Sequence, residues 1–84
     1  MVGQLQIVVR GLVPGSVHAI HDHLGNCGAA NASQHLTVLA ISRANGAGVI
    51  SVTVPVSQFL TGANRIVIVY QTAAPNLITG CADL

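Results

Sequence analysis

The apolar residues of this chain come in short runs of Val, Ile, Leu, Thr and Ala broken by Gly, Pro and Asn, and no stretch keeps a helical period over three turns. This pattern predicts an all-β chain. The first strand is expected over Gln4–Leu12, where Leu5, Ile7 and Val9 alternate with Gln4, Gln6, Val8 and Arg10, so the odd positions face the core. Val13–Ser16 turns the chain into a second strand over Val17–Leu24. The stretch Gly25–Gln34 is too polar and irregular for a strand and reads as an anchored or functional loop. A third strand over His35–Ser42 is followed by Asn45-Gly46, the strongest short-range hairpin signal, and a fourth over Val49–Ser57. In that fourth strand Ile50, Val52, Val54 and Val56 alternate with Ser51, Thr53 and Ser57, and Pro55, which lacks a ladder donor, predicts an edge or a bulge. A turn at Leu60–Asn64 leads to a strand over Arg65–Thr72. Its Ile66, Val67, Ile68 and Val69 are apolar on both faces, so another layer or another copy of the chain must cover it. The last segment, Ala73–Leu84, crosses a turn at Pro75-Asn76. With no internal repeat or linker, residues 1–84 read as a single domain.

A domain of 84 residues buries only roughly 60 to 65% of the surface its unfolded chain exposes, so it needs a staple, a metal or a partner. Its only charged residues are Arg10, Asp22, Arg43, Arg65 and Asp83. Three scattered arginines form no basic patch, which excludes a nucleic-acid binder of the phosphate-neutralising kind, and the high hydrophobic content excludes a disordered tail. Runs free of both charged and turn residues fall short of the roughly 20 residues of a spanning helix, so no transmembrane segment is expected. Met1 is followed directly by strand-like sequence, so a secretion signal is expected to have been removed or never present. Cys27 and Cys81 form no C-x-x-C motif, and a disulfide is the natural reading. Closing such a loop is worth about 4 kcal/mol in the chain-entropy model, and the bond implies an oxidising location: secreted, extracellular or periplasmic.

Three of four histidines fall on the second strand, and the period of two puts His21 and His23 on one face with His18 on the other. Imidazoles at such spacing have Cβ atoms about 7 Å apart, close enough to reach one metal. His35, at the start of the next strand, offers a third nitrogen if the intervening loop folds back. The competing reading is a set of exposed or hydrogen-bonded histidines with no ligand role. Imidazole donors suit copper or zinc, and no carboxylate-rich set exists for magnesium or calcium. His18 is expected to be a core histidine hydrogen-bonded to backbone carbonyls, and Asp22 to be solvated or paired with an arginine.

The segment Gly11-Leu12-Val13-Pro14-Gly15-Ser16-Val17-His18-Ala19-Ile20-His21-Asp22-His23 resembles the G-L-x-x-G-x-H-x-x-H-x-H segment of copper/zinc superoxide dismutases, with one residue inserted before the first histidine. Thr79-Gly80-Cys81-Ala82-Asp83-Leu84 resembles the surroundings of that family's second disulfide cysteine, and Cys27 falls where the first belongs. Ser42–Gly46 sits where the family has an Asp-x-x-Gly-type hairpin turn. The likeness is closer still to small secreted bacterial proteins of superoxide dismutase-like sequence, some of CHRD type. It implies a small Greek-key β-sandwich or partial barrel of about six strands, His21 and His23 as copper ligands, His35 as the metal-bridging histidine and His18 as the structural histidine beneath them. It also implies that a Cys27–Cys81 disulfide pins the long loop to the barrel.

The departures bear on chemistry. Tyr70 stands at the position of the fourth copper ligand, the zinc-binding subloop is absent, and Ile78 occupies the place of the arginine that guides superoxide. The resemblance therefore implies a copper-binding or, less readily, zinc-binding module with weak or no dismutase activity. The family barrel has eight strands, so a chain of six leaves a sheet edge open, which together with the scarcity of charge predicts a homo-oligomer. The alternative is a structural, self-assembling extracellular β protein with no metal role. Asn31-Ala32-Ser33 also matches a glycosylation acceptor, a motif that recurs by chance. No residues appear for hydrolase or nucleotide-binding chemistry.

Overall fold

The computed structural model describes residues 2–57 and 64–84. The chain is all-β, with strands β1 (Val2–Val9), β2 (Val17–Leu24), β3 (Gln34–Arg43), β4 (Ile50–Ser57), β5 (Arg65–Tyr70) and β6 (Ile78–Asp83). They form two antiparallel sheets, one pairing β1 with β4 and the other ordered β3-β2-β5-β6. Residues 60–63 of the turn expected before β5 lie outside the described residues. No helix among the described residues is long and apolar enough to cross a membrane.

The alternation of β1 decides how the sheets pack. Leu5, Ile7 and Val9 stand opposite Val54, Val52 and Ile50 of β4, and this face meets Ile20, Val67 and Val69 of the larger sheet in one core. Ser51, Thr53 and Pro55 point to solvent. Because this sheet has two strands, Pro55 lies on an edge, where its missing N–H costs no interior ladder bond.

The Asn45-Gly46 hairpin is corrected. β3 pairs with β2 and β4 with β1, so the chain changes sheets between β3 and β4. A tight two-residue hairpin of the Asn-Gly kind needs left-handed backbone at both central positions, and neither Asn45 nor Gly46 has a positive φ. The Asn45 side chain instead accepts the N–H groups of Ala47 and Val49. The left-handed residue is Gly48, at φ +73°, where a Cβ would overlap the Leu12 carbonyl oxygen. Strand β1 also ends at Val9 rather than Leu12.

All six residues of β5 are buried. Val67 and Val69 face the inter-sheet core, while Ile66, Ile68 and Tyr70 form a second cluster with Ala19 on the outer face. The cover of that outer face comes from this chain itself. The stretch expected as an irregular loop contains 3-10 turns over Cys27–Ala32, kinked at Ala29, and Cys27 and Ala30 pack on the outer cluster. The segment buries no residue of its own. It is fastened by the Cys27–Cys81 disulfide, with Cα atoms 5.8 Å apart, and by the Cys27 N–H donating to Asp83 Oδ1 at 3.1 Å. Elsewhere the sandwich stays open: a groove of about 220 Å³ between β1 and β6 is floored by Val67 and Val69.

The bond closes a loop of 54 residues in sequence separation. Replacing both cysteines by serine is expected to lower unfolding free energy by about 4 kcal/mol in denaturant titration; an unchanged midpoint would show that the cover holds without it.

Candidate metal centre

Strand β2 is buried on both faces and sorts its side chains by parity. Ala19 joins the outer cluster and Ile20 the inner core, so His21 and His23 lie on the outer face and His18 and Asp22 on the inner one. Two register shifts in the β2–β3 ladder leave Leu36 and Leu39 without partners. With these bulges His35 stands opposite His23 and Val38 opposite His21, the re-aiming that bulges perform beside functional sites.

The three imidazoles converge. Ring centroids are 6.0 Å apart for His21 and His23, 4.5 Å for His21 and His35, and 5.2 Å for His23 and His35. One ring nitrogen from each lies within 4.8 Å of the others, an arrangement that could hold a metal ion. His21 and His23 are each only 5% exposed, whereas His35 is exposed and forms the solvent side of the cluster.

The hydrogen-bond network fixes the tautomer of His23. Ser33 Oγ lies 2.5 Å from the Ala30 carbonyl, to which it donates, and 3.0 Å from His23 Nδ1. Its single proton being used, Ser33 accepts from Nδ1–H, which leaves Nε2 as the bare nitrogen. Nε2 accepts from the Tyr70 hydroxyl at 3.2 Å. Orientation of one ring nitrogen so that the other is free to ligate is the usual support of a metal-binding histidine. His21 Nδ1 is buried and no described residue hydrogen-bonds it, which sets it apart from the great majority of buried polar atoms.

The inner face does different work. Asp22 is fully buried; its Oδ2 accepts from Arg65 Nη2 at 2.7 Å and its Oδ1 from the Thr37 N–H at 2.9 Å. His18 Nδ1 donates to the Tyr70 carbonyl at 2.6 Å and its Nε2 hydrogen-bonds the Ser16 hydroxyl at 2.7 Å. His18 therefore stays apart from the cluster and ties β2 to the end of β5.

Sequence reasoning missed Ser33, which it treated only as part of a glycosylation acceptor; its signal was a serine just past a turn and two residues before His35. A scan against protein-family models, a search of curated proteins and a search of solved structures each return no match to this chain.

Burial, then the neighbouring His35 and His23, lower the pKa of His21 below 6.5, against a smaller opposing pull from Asp22. Burial also lowers that of His23, against the Ser33 hydrogen bond. Both imidazoles are thus neutral and ligation-competent at neutral pH. With folded-state pKa values depressed, the unfolded chain binds more protons near pH 6.5, so stability rises with pH there. Denaturant midpoints of the metal-free protein are expected to fall as pH drops from about 7 through 6.5 and to level off below the folded-state values. A midpoint independent of pH would contradict the neutral assignment.

Proposed function

We propose that this chain is a metal-binding module that takes copper through His21, His23 and His35, with zinc the lesser alternative. The observation that carries this reading is the convergence of three imidazole nitrogens within 4.8 Å, one imidazole having a buried, unpartnered Nδ1. The donor set is all imidazole, which suits copper and zinc and neither magnesium nor calcium. His23 is presented by Ser33 in the correct tautomer, and the exposed His35 leaves the ion a route in. A bound copper ion would supply redox or Lewis-acid chemistry; the chain's part is to hold and orient the three rings and to keep water from two of them.

We also place the chain, as a proposal, among superoxide dismutase-like proteins of secreted or periplasmic location. The His-x-x-His-x-His strand, a disulfide-pinned segment beside it and a buried histidine on the opposite face support that reading, and a disulfide suits an oxidising compartment. Dismutation needs an open position, ready cycling between oxidation states and a positive field to draw in the anion. With Tyr70 and Ile78 at the positions of the fourth ligand and the guiding arginine, the activity assigned is weak or nil.

Titration with Cu(II) is expected to show one equivalent bound per chain, with tight uptake lost in the His21→Ala, His23→Ala double variant. Equal uptake by both proteins would refute the site.

A second reading, self-association, is favoured by β3. This edge strand leaves Val38 50% and Ile41 60% exposed, and edge strands with apolar side chains invite pairing between copies. Apparent mass in sizing experiments is then expected to rise with concentration; a monomer throughout would remove this reading.

A further inference from the structure

We propose that Tyr70 is an oxygen ligand of the same ion, making the site three imidazoles and one phenolate; this inference rests on the three-histidine reading above. Tyr70 leaves β5 on the outer face, one step along that face from Ile68, which stands opposite His21. Its hydroxyl lies 3.2 Å from His23 Nε2, the nitrogen whose lone pair the Ser33 hydrogen bond leaves free. Two donors each about 2.0 Å from one ion, at a tetrahedral angle, are about 3.3 Å apart. In the metal-free protein this contact is a hydrogen bond, so the hydroxyl must swing aside from the Nε2 lone pair to admit an ion. A swing that keeps the oxygen–nitrogen separation near its present 3.2 Å makes the two atoms neighbouring ligands.

The ring has little freedom to withdraw. Tyr70 is 8% exposed, its ring packs edge-on to His21 with centroids 4.9 Å apart, and its carbonyl is held by His18 Nδ1 at 2.6 Å. In the metal-free protein the hydroxyl donates to the nitrogen that would bind the ion. When the ion takes that nitrogen, the phenol loses its acceptor, and its oxygen is left facing a cation in a buried site. Bonding to the ion satisfies the oxygen, and the phenol proton passes to the buffer. An anionic oxygen donor in place of a neutral imidazole favours copper(II) over copper(I), since the softer cuprous ion prefers sulfur and nitrogen ligands. The module would therefore hold the oxidised ion rather than cycle it.

The test is the visible absorption spectrum of the Cu(II)-loaded protein. Tyr70 is the sole tyrosine and the chain has no tryptophan, so a phenolate-to-copper(II) charge-transfer band has one possible source. The expected result is such a band growing to one equivalent of copper. Tyr70→Phe, which keeps the ring, is expected to lose the band while still taking up copper through the three histidines. Copper uptake without the band overturns the tyrosine ligand and leaves the three-histidine site standing. Absence of uptake by the parent protein overturns the histidine site and, with it, the tyrosine. The parent spectrum decides the matter even if the variant folds poorly.

Discussion

The Cys27–Cys81 disulfide is the link on which the outer face of this molecule depends. The central strands β2 and β5 are buried on both sides, yet the small β1–β4 sheet covers only one. The other side is closed by a segment that fully buries none of its own residues and touches the outer cluster only through the half-buried Cys27 and Ala30. A covalent bond to β6 supplies what apolar contact does not. The same short segment leads into Ser33, whose hydroxyl selects the His23 tautomer, and then into His35. Cover, tautomer and third imidazole are therefore three effects of one constraint.

Strand β2 also separates two kinds of electrostatics that could not share a face. On its inner side Asp22 and Arg65 form a buried, hydrogen-bonded ion pair, which persists because each partner would be costly to bury alone. On its outer side the histidines are held neutral by burial and by one another. The charge of Asp22 pulls the other way on both rings, but the smaller pull does not reverse the effect of desolvation. Parity along one strand thus keeps a permanent charge pair beneath a set of uncharged nitrogen donors.

Much of this was legible in the sequence, for identifiable reasons. The bounds of β2 match the expected Val17–Leu24, since a period-two pattern between a Pro-Gly turn and a glycine leaves little choice. The faces of Leu5, Ile7 and Val9 and the edge position of Pro55 follow from alternation and from a missing N–H. What could not be read depends on distant partners. Asn45-Gly46 carries a local hairpin signal, but the packing of Ala44 into the core and the bond from its N–H to the Ser16 carbonyl send the chain to the other sheet. The two bulges in β3 leave no mark in its composition, yet they decide which of its residues stand opposite His21 and His23. The cover over Ile66 and Ile68 was foreseen as a need, and its source in residues 27–32 was not.

The internal pairing of Asp22 with Arg65 has a consequence for the exterior. It withdraws two of the few ionised groups from solvent, so that Arg10, Arg43 and Asp83 are the charged side chains left on the surface. Mobile ions then find little to screen. Toward dissolved salts the molecule behaves almost as a neutral solute, salted out by excluded ions such as sulfate and little affected by those that act through charge alone.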